Sequence, residues 1–121
     1  MSERITLTIP RERPFHSVAH LVLGGLAVRH NLTVESLEDL QVALDELLDH
    51  DDDDASDVTV DLNVADTSIE AEIGPFQEKT LRAATEPTDG SLGLSRVLST
   101  VVDRVEPAAD NRLRLVKEIG G

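Results

Sequence analysis

Leu40-Gln41-Val42-Ala43-Leu44-Asp45-Glu46-Leu47-Leu48-Asp49-His50, with the later Asp89-Gly90-Ser91-Leu92-Gly93-Leu94, decides the fold of this chain. The first stretch is an amphipathic helix with a carboxylate near its end, and the second is a glycine turn that opens another helix. Working outward, Leu37, Leu40, Leu44, Leu47 and Leu48 form one apolar stripe at helical spacing, with Val34 and Ala43 beside it. Thr33 suits the N-cap, and Glu35 and Glu38 favour the positive end of the helix dipole. Beyond Asp49 the pattern gives way to Asp51-Asp52-Asp53-Asp54, which like-charge repulsion should keep extended and solvated.

On the N-terminal side, Ile5-Thr6-Leu7-Thr8-Ile9 alternates apolar and polar residues and reads as a half-buried strand ended by Pro10. A helix is expected from about Pro14 to His30, with Phe15, Val18, Leu21, Val22, Leu26 and Ala27 on its apolar side and Asn31 as a left-handed stop. Gly24 and Gly25 inside it should each cost roughly 1 kcal/mol relative to alanine, and close packing against a neighbouring backbone would explain them. Downstream, Val58–Val64 and Ile69–Ile73 alternate as the two strands of a hairpin. A short helix around Thr80–Ala84 precedes a longer one from Leu92 to Val105. A short strand near Val105–Pro107, a turn at Ala109-Asp110-Asn111 and a last strand, Leu113–Lys117, complete the reading. Helices interleaved with hairpin strands make a two-layer α+β sandwich in a single domain spanning residues 1–121.

The composition narrows the function. With 24 acidic against 11 basic residues the formal charge is −13, a surface that repels phosphate backbones and anionic lipid. Direct nucleic-acid and membrane binding are therefore disfavoured, and a basic protein partner suits the charge better. Aromatic residues are only 2% of the chain, too few for base-stacking platforms. Cysteine is absent, which removes disulfides, thiol nucleophiles and thiolate metal sites. No stretch approaches the roughly 20 apolar residues of a membrane span, and no signal peptide is evident, so a cytoplasmic location is expected.

The two opening stretches resemble boxes of the ATPase superfamily shared by histidine kinases, Hsp90-type chaperones and serine-kinase anti-sigma factors (GHKL). The resemblance implies a Bergerat-like fold: a mixed, mostly antiparallel sheet with helices on one face. It implies that Glu46 is the catalytic base, with ATP and Mg²⁺ as cofactors. The position that normally holds Mg²⁺ through an asparagine one helical turn later is His50, and imidazole is a poor substitute for a hard oxygen donor. The second box, Asp-x-Gly-x-Gly, corresponds to Glu72-Ile73-Gly74-Pro75-Phe76, where Gly74 is kept and the adenine-reading aspartate is missing. Gly74-Pro75 also reads simply as a turn. The third box survives better: Gly90 and Gly93 match a phosphate-binding turn, in which glycines let backbone N–H groups approach an anion. Ser95 to Val105 looks like the helix that follows in the anti-sigma factors.

Plainer readings stand beside these. Glu46 and His50 also suit an exposed helix end, and Gly90-x-x-Gly93 a simple helix start. The aspartates lack the spacing of a calcium loop, and no metal site is expected. His16 and His20 read as ordinary helix residues, without the carboxylate of a zinc-enzyme pattern. The leading expectation is an anti-sigma-factor-like regulator that acts by protein–protein binding, with weakened or lost ATP binding. Its partner would be a sigma factor or an antagonist-type (anti-anti-sigma) protein, and the resembled family implies a homodimer. The alternatives are an active ATP-dependent serine-protein kinase of that family and a small structural oligomerisation domain.

Overall fold

Four strands of period-two sequence and one short connecting strand assemble into a single five-stranded sheet in the computed structural model, which describes residues 3–51, 57–86 and 93–119. The strands are β1 (Glu3–Pro10), β2 (Asp57–Val64), β3 (Ser68–Gly74), β4 (Arg104–Ala108) and β5 (Arg112–Glu118), in the spatial order β1-β2-β3-β5-β4. All four pairings are antiparallel, so the sheet is not mixed. The register puts Leu7 opposite Val60, Val60 opposite Ile73 and Ile73 opposite Leu113, an apolar ladder across four strands. The other face carries Thr59, Asp61, Glu70 and Glu72, none of them buried, and is tied by Arg4–Asp61 at 2.6 Å and a Thr8–Thr59 hydroxyl contact at 3.0 Å.

The helices are α1 (His16–His30), α2 (Val34–His50), α3 (Glu78–Thr85) and α4 (Leu94–Val101). The stripe on α2 is buried as expected at Leu40, Ala43, Leu44, Leu47 and Leu48, and joins the inward strand residues in one core. Asn31 takes the left-handed conformation (φ 57°) that stops α1, and the Thr33 side chain accepts from the Ser36 N–H at 3.0 Å to start α2. Lys117 on β5 reaches Asp39 on α2 at 2.8 Å, fixing the helix layer to the sheet.

Several expectations need correcting. A 3-10 turn at Arg13–Phe15 precedes α1, and α1 is rotated from the expected orientation. It buries Ala19 and Leu23 along with Leu26 and Ala27, while Leu21 is 75% exposed. Apolar residues on more than one side of α1 make its periodicity an imprecise guide to the buried face. No close packing explains Gly24 or Gly25, because nothing stands within 4 Å of a Cβ at either. Leu92, where the longer helix is expected to begin, lies outside the described residues; α4 ends at Val101, and the chain from Arg104 pairs with β5 instead of continuing the helix to Val105. Ladder hydrogen bonds and the antiparallel partner outweigh the helical spacing of Val101 and Val105.

Candidate functional site

The resembled catalytic helix is α2, and its last turn presents Glu46 and His50 one turn apart, both exposed. That spacing puts them on one side of the helix, as the resemblance requires. Neither side chain has a hydrogen-bond partner among the described residues. Gly93 is the N-cap of α4, and its carbonyl accepts from Arg96 N and Val97 N at 3.1 and 3.2 Å. Gly90 lies outside the described residues, so only one glycine of the expected phosphate turn can be placed.

Gly74 ends β3 and is buried, with φ +156° and a cis peptide to Pro75. A Cβ there would meet the Arg112 Cα and the Asn111 carbonyl oxygen at 2.9 Å each. This glycine is therefore needed by the chain's own close approach to the start of β5. The Phe76 N–H donates to the same Asn111 carbonyl at 2.8 Å, clamping the turn.

Directly beside this turn lies a feature the sequence reading missed. Arg11, just past β1, and Asp51, the C-cap of α2, form an ion pair at 2.7 Å with side chains only 4% and 0% exposed. The second Asp51 oxygen accepts from the Gln77 N–H at 3.2 Å and from the Thr80 hydroxyl at 2.8 Å. The Arg11 guanidinium also donates to the Pro75 carbonyl and lies 5.7 Å from the centre of the Phe76 ring. Burying two charges is costly unless they are paired and their remaining hydrogen-bond capacity is used, and both conditions are met here. The backbone at Asp51 is extended as expected, but the expectation of a solvated acidic run fails there because the side chain is buried. Asp49 remains on the surface, 3.2 Å from Arg13, and residues 52–56 lie outside the described residues. Arg11 stands 40 positions from Asp51, a separation at which no helical or strand periodicity connects them. The only local hint was an arginine immediately after a strand-ending proline.

His16 and His20 are more than ordinary helix residues. His16 is buried, with Nε2 3.3 Å from the Arg11 carbonyl, and His20 Nε2 is 2.9 Å from Asp45 Oδ1 on α2. His16 Nδ1 also lies 4.0 Å from Asp45 Oδ1, so both histidines bring α1 to α2 at the residue next to Glu46. Among the described residues no three acidic or histidine side chains gather as metal ligands. A magnesium nucleotide does not fit the donor set in the resembled manner. His50 offers a nitrogen where a hard oxygen is wanted, the next carboxylate is committed to Arg11, and Glu72 lies in the sheet, 3.5 Å from Arg114. No helix of the described residues is long and apolar enough to cross a membrane.

No family model matches the chain. It is similar to the serine-protein kinase RsbW of Halalkalibacterium halodurans, 26% identical over 127 residues covering 90% of this chain and 78% of that protein. The serine-protein kinase RsbW of Listeria monocytogenes is 24% identical over 136 residues, 96% of this chain and 86% of that protein. The protein of the same name from Listeria innocua aligns to the same extent. The homology is weak but nearly full-length, and it agrees with the resemblance carried by the α2 and glycine-turn motifs. The α+β sandwich is consistent with the same ATPase fold.

Proposed function

From that distant kinship with serine-protein kinases, we propose that the chain is a histidine kinase-like ATPase domain working as an anti-sigma-factor-like regulator. It acts by binding a protein partner, a sigma factor or an antagonist-type (anti-anti-sigma) protein, as a homodimer, with ATP binding weakened or lost. The observation that carries this reading is the buried Arg11–Asp51 pair with its bonds to Pro75, Gln77 and Thr80. It joins the end of the first box to the turn of the second through the chain's own side chains, where the resembled enzymes recruit Mg²⁺ and adenine. His50 and the missing second-box aspartate point the same way.

The second reading, an active ATP-dependent serine-protein kinase, is favoured by the relatives being serine-protein kinases by name and by the exposed Glu46 on α2. Calorimetric titration with ATP, with and without Mg²⁺, separates the two. The binding-module reading expects a flat titration and partner binding that survives Glu46→Ala. Saturable, Mg²⁺-dependent binding that is coupled to phosphorylation of a partner serine and abolished by Glu46→Ala would establish the kinase instead. Sedimentation of the purified chain tests the dimer.

A further inference from the structure

A cavity of about 410 Å³ opens between the end of α3, one side of α4 and the start of β4. Val102 and Val105 give it apolar wall, Ser95 a hydroxyl, and Arg96 and Arg104 two guanidinium groups. Acidic residues outnumber basic ones 24 to 11 in this chain, so a cation without a carboxylate is out of the ordinary. Among the described residues every other lysine or arginine has an ion pair or another electrostatic partner. Among the described residues Arg96 and Arg104 have neither an ion pair nor a side-chain hydrogen bond, and they line the same cavity. The one carboxylate in the wall, Asp103, accepts from the Glu118 N–H at 2.6 Å and is engaged with the end of β5.

We propose that this cavity is a binding site for a small phosphate monoester. Two arginines lining one cavity, Arg96 from α4 and Arg104 from β4, suit a doubly charged tetrahedral oxyanion, since each guanidinium can give paired N–H bonds. The volume falls within the range of roughly 300–1,000 Å³ typical of small-molecule sites and exceeds what bare phosphate needs. The valines then receive the apolar body of the ester. None of the lining residues is on α2, so the site does not use Glu46 or His50, and its α4 wall begins at Ser95, two residues past Gly93.

The test is a calorimetric titration of the full chain with phenyl phosphate and with inorganic phosphate at low ionic strength. Saturable phenyl phosphate binding is expected, weakened tenfold or more by Arg96→Ala and by Arg104→Ala. Both residues are exposed, so these variants keep the fold. Arg13→Ala removes the same charge elsewhere on the surface and should leave binding unchanged. Weaker binding of inorganic phosphate supports recognition of the ester body, and equal binding supports the oxyanion site with free phosphate as its source. No saturable binding of either probe, or an equal loss in Arg13→Ala, overturns the proposal.

Discussion

The two ends of the helix layer treat arginine in opposite ways. At the end of α2, Arg11 is buried against a carboxylate, a carbonyl and an aromatic ring, and its partner Asp51 uses both oxygens. Beside α4, Arg96 and Arg104 face open space with no partner among the described residues. The first arrangement is structural chemistry, since every strong donor and acceptor is already answered within the chain. The second leaves charge in a concavity unanswered, which is how a protein keeps a place for something else. A strongly acidic composition makes the contrast sharper, because carboxylates are abundant and yet are not supplied there.

The largest effect expected from breaking this contrast is at Asp51. Asp51→Ala strands a buried guanidinium and should lower the unfolding free energy by about 3–5 kcal/mol, whereas Arg96→Ala should stay within about 0.5 kcal/mol. Urea unfolding measures both, and equal costs would erase the distinction. The double variant Arg11→Ala/Asp51→Ala should lose less than the sum of its singles, since removing both charges leaves neither stranded. Next comes Gly74→Ala, expected to cost about 1–3 kcal/mol through strain and collision with Arg112 and Asn111. Gly25→Ala, with open space around it in α1, should instead add about 0.5–1 kcal/mol. Thermal melts of the pair decide whether the two glycines differ as described.

The smallest effect is electrostatic and lies at the surface. Hydrogen bonding from His30, with help from Arg29, holds the Glu3 carboxyl below its usual range, and Arg4 does the same for Asp61. A depressed folded-state pKa gives stability that is present above the ordinary carboxylate value of about 4 and is lost as the pH falls through the lowered one. Because both carboxyls are only partly buried and their arginine partners are exposed, the loss should be modest and should shrink with added salt. Asp61→Asn should flatten the acid side of a Tm-against-pH curve. An unchanged curve would show that the Arg4–Asp61 contact adds nothing.

What the sequence disclosed follows from the range of each signal. The strands and α2 were legible because alternation and the leucine stripe repeat within a few residues, and their buried positions are those the pattern marks. The junction at Asn31 and Thr33 was legible because caps are local chemistry. The face of α1 was misread at Leu21 because apolar side chains surround more of that helix than the core covers. Of the candidate site, Glu46 and His50 were placed on one helix end, but the meaning of Gly74 depended on Arg112, which sequence spacing does not reveal. Arg11 and Asp51 escaped for the same reason. A pairing made only by the closing of the sheet over the end of α2 has no signature in either segment alone.

The order of the sheet leaves β1 and β4 at its margins. β4 is five residues long and carries Pro107, which has no N–H to offer an incoming strand, with Arg104 and Glu106 beside it. Short, charged, proline-bearing borders resist pairing with other chains. The opposite border runs for eight residues, with its proline only at the very end. Among the described residues, growth of the sheet by a foreign or a second chain is therefore favoured across β1, and a partner arriving at the β4 side must be met by side chains instead.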